Sequence, residues 1–565
     1  MMRVNMRVAL GMLCIVVVLL MLYWGQCGDF QNRPVSVLSN ALSHQSAGAG
    51  AALAPDELEC SINGEYSVSC RRDRDNNEVF LPFSFIRKYF EVYGKITTSK
   101  NGVDKFEWSH SYSKVYHPKK KYDPRGTFTT FENYNVEVRD RVKCISGIEG
   151  VPVSTQWEPR GWYYPTQIAQ FGLAHYSKNI TEPEPRRTIL DDGEKHKEKW
   201  TTTKDASFTR EFDAEMRTNV LKFSTSTDPA SKVLLQVNIS QDFVLSLDVM
   251  LKRNSSVTVV LQNKEKKETV YLHYITSLDL IYADKEHIYY GVGLEASWRR
   301  LTRDLIIDMQ KGWALQDRPK RKSPRNKFKI SALSLSGAGA LDNVTVSSSE
   351  HSAQFAAAAE WLRRAQRPRG GWPVPVRRRV AAGVAELRPG WHSAMSQGHA
   401  MSVLARAYHR SGARPYLAAA RRALRLLAVP SAQGGVRAMW MGKHVWYEEY
   451  PTTPPLFVLN GFIYTLLGLY DLHVIEGENS LAKQLYDDGM ASLKTLLPLF
   501  DTGSGSFYDL RHYTLGVSPN VARWDYHATH VNQLYLLAGL DPHPVLINTA
   551  RRWEGYMTGK RAAHN

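Results

Sequence analysis

Phe243-Val-Leu-Ser-Leu-Asp-Val-Met-Leu-Lys-Arg-Asn-Ser-Ser-Val-Thr-Val-Val-Leu261 decides the fold of the middle of the chain. Apolar residues alternate with polar ones on either side of the polar break at Arg253-Asn254, as in two half-buried strands joined by a turn. Val233-Leu-Leu-Gln-Val-Asn-Ile239 alternates in the same way. This β-rich stretch runs from about Thr201 to Ser348 and predicts a sandwich or barrel domain over 152–349. Inside that domain Thr166–Lys178, led in by Tyr163-Tyr164-Pro165, carries a helical stripe of Ile168, Phe171, Leu173 and Tyr176.

Outward from this centre the pattern changes twice. Upstream, over 57–151, short alternating pieces predict a β-hairpin domain: Val79–Phe83, Lys105–Trp108 and Gly126–Phe131. Lys119–Lys121 with Tyr122 reads as a solvated turn or as a contact to an acidic chain. Downstream of Glu350 the period becomes helical near Ala353–Gln366, Ala394–Arg410, Pro415–Leu427, Val458–Leu472, Ser480–Leu499 and Thr529–Leu540. Paired antiparallel helices of this spacing predict an (α/α) barrel, or toroid, over 350–565. The fold class is therefore multidomain α+β. The Arg-rich stretch Arg363–Arg437, densest at Arg377–Arg379, reads as solvated helix faces.

Lys and Arg number 72 against 55 Asp and Glu, a net charge of +17 that concentrates polyanions. Nucleic acid, anionic membrane and acidic polysaccharide all fit that charge. The N-terminus selects among them: residues 1–7 form a basic tail and 8–24, Val8 to Trp24, an uncharged apolar run. The run predicts a type II transmembrane signal-anchor, with a cleaved signal peptide as the competing reading. Residues 25–56 follow as a Ser/Ala/Gly-rich stem. A lumenal or external chain excludes nucleic acid as a natural partner. Asn179, Asn238, Asn254 and Asn343 head glycosylation sequons. Of five cysteines, Cys60 and Cys70 are spaced for a disulfide across a hairpin.

There is no HExxH, no P-loop, no dinucleotide fingerprint and no Gly-x-Ser-x-Gly elbow. His527 and His530 read as structural rather than metal-binding. What remains is a Tyr-rich block between predicted helices: Trp446-Tyr-Glu-Glu-Tyr-Pro451, Asp501-Thr-Gly-Ser-Gly-Ser-Phe-Tyr-Asp-Leu-Arg511 and Ala522-Arg-Trp-Asp-Tyr-His527. Pro451 holds Tyr450 extended, which sends Glu449 and Tyr450 to opposite sides unless the chain twists. Gly503 and Gly505 predict a flexible turn before Tyr508.

The block, with Val458-Leu-Asn-Gly-Phe462, Gly390-Trp-His-Ser-Ala-Met-Ser-Gln-Gly398, Gly370-Gly-Trp-Pro373, Tyr163-Tyr-Pro-Thr-Gln-Ile-Ala-Gln-Phe-Gly-Leu173 and Lys560-Arg-Ala-Ala-His-Asn565, resembles heparan sulfate D-glucuronyl C5-epimerase. The resemblance covers most of the chain after about Phe80. It implies an isomerase of the Golgi membrane, acting in heparan sulfate and heparin biosynthesis. Such an enzyme turns D-glucuronic acid into L-iduronic acid within the glycosaminoglycan N-sulfated heparosan, as a glycoprotein homodimer with heparan sulfotransferases as neighbours. It implies catalytic roles for Glu449, Tyr450, Tyr508 and Tyr526, and substrate binding by Arg511. It also maps a structural calcium site onto Asn254 and Asp342, while Ser224–Ser231 departs from the family's remaining acidic ligand. No organic cofactor is implied.

Epimerisation removes a proton beside a carboxylate and returns one to the opposite face, so it needs two opposed proton carriers. Glu449 and Tyr526 are assigned here, with Tyr450 and Tyr508 orienting the sugar. Arg511 suits a carboxylate clamp, with Arg523, Tyr163 and Tyr164 as further substrate contacts. Arg511 and Arg523 are expected to lower a tyrosine pKa. Two other readings stay open: a polysaccharide lyase, which shares the abstraction step, and a non-catalytic heparan-binding protein.

Overall fold

In a computed structural model of the chain, residues 56–563 are described except 63, 90–91, 100, 111–112, 196–198, 267 and 317–324. The chain divides into two compact units, Met1–Ile96 and Thr97–Asn565. In the first, β1 (Asp56–Ile62), β2 (Tyr66–Asp73) and β3 (Glu78–Phe80) form an antiparallel sheet in that order. Cys60 and Cys70 form a disulfide, their Cα atoms 5.9 Å apart. The strand expected over Val79–Phe83 stops early and helix α1 (Phe83–Tyr89) begins, with the Pro82 carbonyl accepting from the Phe85 and Ile86 N–H groups.

The centre of the second unit is a β-sandwich. Strands β4 (Val244–Leu251) and β5 (Ser256–Asn263) are the two read from the opening stretch, and β6 (Phe328–Ser336) and β7 (Ala338–Ser347) follow. β4 pairs antiparallel with β7 in a six-stranded sheet, and β5 with β6 in a seven-stranded one. The alternation fixes which faces meet. Leu245, Leu247, Val249 and Leu251 from one sheet and Val257, Val259 and Leu261 from the other share one buried core. Burying each such side chain stabilises by about 1.5–3 kcal/mol, and a one-residue slip would turn the whole set outward.

Helix α2 (Pro165–Thr181) lies before the sandwich in sequence but packs with the C-terminal helices, against α4 (His351–Ala365) and α5 (Ala394–Ser411). A further helix, α3 (Leu305–Ala314), opens where Asp304 accepts from the Ile306 and Ile307 N–H groups at 3.1 Å. α5 packs on α6 (Arg414–Ala428) and α7 (Leu459–Glu476), and α7 on α8 (Leu481–Leu496). The α5–α7 contact is backbone on backbone: a Cβ at Gly468 would lie 2.2 Å from the Gly398 carbonyl oxygen. After a short α9 (Arg511–Leu515), α10 (Trp524–Leu540) packs on α7 and on α11 (Pro544–Met557).

Three expectations change. Gly126–Phe131 is loop running into a 3-10 turn at Phe131–Asn133, not a strand, because Phe128 and Phe131 both enter the helical core. The Arg-rich stretch is not all solvated: Arg406 is fully buried, its guanidinium on Asp471 at 2.5 Å and on the Tyr122 hydroxyl at 3.0 Å. Tyr122 itself donates to Asp471 at 2.7 Å, so it leaves the exposed Lys119–Lys121 cluster for the interior. The anchored Golgi placement is corrected too. Among the described residues no helix is long and apolar enough to cross a membrane, and the span expected at Val8–Trp24 lies outside them.

Candidate active site

The hairpin β8 (Arg437–Trp440) and β9 (His444–Tyr447) delivers the acidic pair. Trp446 and Tyr447 are buried, and Trp446 stacks on Phe462 of α7 at 3.7 Å, which anchors the strand end. Just beyond, the Glu448 N–H donates to Val436, and its carbonyl accepts from Ala394 at the start of α5. Glu448 accepts from the Phe457 N–H at 3.2 Å. Phe457 sits at φ 58, a left-handed conformation costly for a bulky residue and held here by its burial and that hydrogen bond.

Glu449 and Tyr450 both line one cleft of about 450 Å³, so the chain does twist after Glu449. Burial pushes the Glu449 carboxyl up to about 7, while the Tyr450 hydroxyl and the Arg378 guanidinium pull it down. Its Oε2 is buried with no hydrogen-bond partner among the described residues. Gly461 leaves the space this oxygen fills. Burial also raises Glu448, to about 8.

Tyr526 enters the same cleft from the first turn of α10, where the positive helix end favours a phenolate. Its pKa nonetheless stands above the ordinary value: burial and the Glu449 charge raise it, against Arg141 and Arg523. The lowering expected from Arg511 and Arg523 is thus outweighed by desolvation. Tyr508 lies behind the wall. Its ring meets Tyr526 edge-on at 4.9 Å, its N–H donates to Asn520, and its carbonyl accepts from Leu459 at the start of α7. The turn before it, Thr502–Gly505, has Gly503 at φ 81. Tyr450 packs into an aromatic cluster with Tyr164 and Trp391, and burial holds both Tyr450 and Tyr508 well above the ordinary tyrosine value.

The cationic side of the cleft differs from expectation. Arg511 does not line it: its Nε and Nη2 are held by the buried carboxylate of Asp509 at 2.8 and 2.6 Å. Arg523 does line it, with Asp525 beside it at 3.2 Å. Arg139 and Arg141 complete that side; Arg139 lies 4.0 Å from the Tyr134 ring centre and Arg141 reaches Gln156 at 3.4 Å. They sit some three hundred positions from the block, in a stretch mixed with Glu132 and Glu137, and no motif marks them. Gln170 and Asn460, which the quoted motifs contain without a site role, and Tyr464 are further lining residues. Tyr164 lines the cleft, but Tyr163 turns away to Ser146 at 3.0 Å.

His527 and His530 are structural, as expected. Both Nδ1 atoms meet the Ser506 hydroxyl, at 2.8 and 2.9 Å, and His527 Nε2 donates to the Trp553 carbonyl. The candidate calcium residues are not brought together. Asp342 pairs with Asp248 along the β4–β7 ladder, while Asn254 lies past its far end, beyond Leu251 and Gly339. Burial and nearby acids raise Asp342 to about 6, and among the described residues no group of three or more His, Cys, Asp or Glu could hold a metal ion. These residues do not fit a calcium ion. Of the sequon asparagines, Asn179, Asn238 and Asn254 are exposed. The Asn343 amide donates to Asp248 and Asp342, bonds that a glycan there would have to break.

Comparison with known proteins adds to this geometry. Residues 366–555 match a family model described as D-glucuronyl C5-epimerase C-terminus, and 217–338 one described as D-glucuronyl C5-epimerase, beta-sandwich domain. A D-glucuronyl C5-epimerase of Caenorhabditis elegans is 40% identical over 563 residues, covering 90% of each chain. An uncharacterized protein of Methanocaldococcus jannaschii is 33% identical over 154 residues, 27% of this chain and 47% of that one. A family 11 carbohydrate-binding module of Clostridium thermocellum aligns over 29% of this chain and 95% of its own at TM-score 0.18 and 13% identity, which carries no argument.

Proposed function

The chain belongs to the D-glucuronyl C5-epimerase family and is an epimerase, and from that premise we propose that it inverts carbon 5 of D-glucuronic acid within N-sulfated heparosan, with Glu449 and Tyr526 as the two proton carriers. The observation that carries this is the buried, unpartnered Oε2 of Glu449, in one cleft with the Tyr526 phenol. With its carboxyl near 7, a large fraction of Glu449 is ionised at neutral pH and can accept a proton. Tyr526, raised above its ordinary value, holds its proton at that pH and can donate it.

In the step, the carbon 5–hydrogen bond breaks and its proton joins Glu449 Oε2. The electron pair spreads into the adjoining carboxylate, where Arg139 and Arg141 offset the growing charge. Tyr526 gives its proton to the opposite face, a new carbon–hydrogen bond forms, and the phenolate recovers a proton from Glu449 through water. Tyr508 and Tyr450 hold the phenol and the sugar in place. The helix pairs α2/α4, α5/α6, α7/α8 and α10/α11 support reading this region as an (α/α) toroid with the cleft at one end. A homodimer, and heparan sulfotransferases as neighbours, belong to the same proposal.

The experiment is release of tritium from N-sulfated heparosan labelled at carbon 5. Release with chain length intact and iduronate formed supports the proposal. Release with new ultraviolet-absorbing unsaturated ends makes the chain a lyase, and tight binding without release makes it a binding protein.

A further inference from the structure

The Arg377–Arg379 cluster, read from sequence as a solvated helix face, is extended chain. The Arg378 N–H donates to the Leu387 carbonyl at 3.0 Å, and its carbonyl accepts from the Leu387 N–H at 2.9 Å. Successive side chains of an extended segment point to opposite sides, so Arg377 and Arg379 are exposed while Arg378 turns inward. Arg377 meets Glu386 at 3.8 Å. Arg378 instead places its guanidinium over two aromatic rings, 4.7 Å from the Trp157 ring centre and 6.0 Å from that of Tyr450. Its Nε is buried with no hydrogen-bond partner among the described residues. The rings attract the cation through their negative faces. Trp157 is itself fixed, in contact with Trp162, Tyr164 and Trp391.

On the far side of Tyr450 is Glu449. The groups that face Glu449 come from several elements. Glu448 and Tyr450 flank it, Tyr164 leads into α2, Tyr508 and Asp509 stand on the loop before α9, and Tyr526 is on α10. Each of these is neutral or negative, so none favours an ionised carboxylate by its charge. The arginines of the cleft serve the other proton carrier: Arg139, Arg141 and Arg523 act on Tyr526. The cation that acts on Glu449 is Arg378.

We propose that Arg378 is a positioning residue for the reaction: held against Trp157 and Tyr450, its guanidinium fixes the Tyr450 ring beside Glu449 and favours the ionised, proton-accepting form of that carboxylate. This rests on the reading of Glu449 as the base. Arg378 does not line the cleft, so it acts through Glu449 and not on the sugar. Burial drives the Glu449 carboxyl up, and the Tyr450 hydroxyl and the Arg378 charge together hold it to about 7. Without that charge more of it would be protonated at neutral pH and unable to accept. Each proton carrier thus has its own cation, Arg378 behind the base and Arg141 with Arg523 beside the acid.

The test is the pH dependence of tritium release at saturating substrate for the parent, Arg378→Gln and Arg378→Lys. It is read beside an infrared titration of the substrate-free enzyme, in which the protonated Glu449 carboxyl is the band missing from Glu449→Gln. In Arg378→Gln the rate limb and the infrared midpoint both move up by about 0.5–1 pH unit, the loss of one nearby opposite charge. Its rate falls by about 3- to 10-fold below the limb and returns to within about twofold of the parent above it, with KM little changed. Arg378→Met, which packs an uncharged chain on the same rings, does the same and decides the matter if Arg378→Gln fails to fold. Arg378→Lys, which keeps the charge, leaves limb and midpoint close to the parent's. A rate lowered equally at every pH with the midpoint unmoved, or an equal shift in the lysine and neutral variants, would overturn the proposal. A parent that released no tritium would refute the epimerisation reading instead, and the infrared midpoint would still show whether Arg378 acts on Glu449.

Discussion

Gly461 and Glu449 compete for the same space: a Cβ at position 461 would lie 2.4 Å from Glu449 Oε2 and 2.8 Å from its Cβ. The glycine near the start of α7 is therefore a condition for the carboxylate to stand in the cleft. Gly461→Ala should displace Glu449, lowering kcat by about 10- to 100-fold and stability by about 1–3 kcal/mol. Tritium release and thermal unfolding of the variant check this. Parent-like turnover would mean that the carboxylate tolerates the methyl group, and its position would not be what limits the rate.

The rate should follow the ionisation of Glu449. Its carboxyl is pushed up to about 7, chiefly by burial, and only the ionised form accepts a proton. The rate of C5 proton release at saturating substrate should therefore rise from pH 5.5 and level off above 8, with a limb near 7. Glu449→Gln should abolish turnover across that range. A profile flat from pH 5.5 to 8 would show that another group is the base.

How much of this was legible follows from where the determinants sit. Alternation places Val257, Val259 and Leu261 inward because a strand has period two, and the facing sheet supplies their partners. The Tyr-rich block marks Glu449, Tyr450 and Tyr526 because polar aromatics between helices are unusual locally. Arg139 and Arg141 were illegible: folding, not spacing, brings them to the cleft. Arg511 was assigned because a guanidinium can hold a carboxylate bidentately, and the carboxylate it holds here is the buried Asp509, a pairing that folding sets and spacing does not show. Pairing across distance likewise hid Tyr122, Arg406 and Asp471.

Glu448 should cost stability at high pH. Burial raises its folded carboxyl to about 8, whereas an unfolded glutamate titrates near 4.3. Between those values the folded state holds more protons, so stability falls as pH rises, by up to about 1.4 kcal/mol per pH unit. Glu448→Gln keeps an oxygen for the Phe457 N–H and removes the charge. It should raise Tm at pH 8 and leave it nearly unchanged at pH 4.5. A variant less stable than the parent at pH 8 would contradict the sign.

Tyr526→Phe keeps the ring, and with it the 4.9 Å contact to Tyr508, and removes only the proton. Loss of a positioned acid should lower kcat by about 10²–10⁴-fold with KM little changed. Wild-type turnover in this variant would remove Tyr526 from the reaction.

The last prediction separates two arginines. Arg141 lines the cleft and reaches the Gln156 amide, at 3.4 Å, whereas Arg511 is held by the fully buried Asp509. Arg141→Ala should lower kcat/KM by about 10- to 100-fold, the worth of a charged hydrogen bond to the substrate carboxylate, with Tm close to the parent's. Arg511→Ala should instead unfold more easily, by about 3–5 kcal/mol, because it strands a buried carboxylate that keeps only Asn520 and the residue 511 backbone N–H as donors. Kinetics and denaturant unfolding on both variants decide the matter. If Arg511→Ala kept its stability and lost kcat/KM while Arg141→Ala was neutral, the clamp on the uronate would be Arg511, freed from Asp509 when substrate enters.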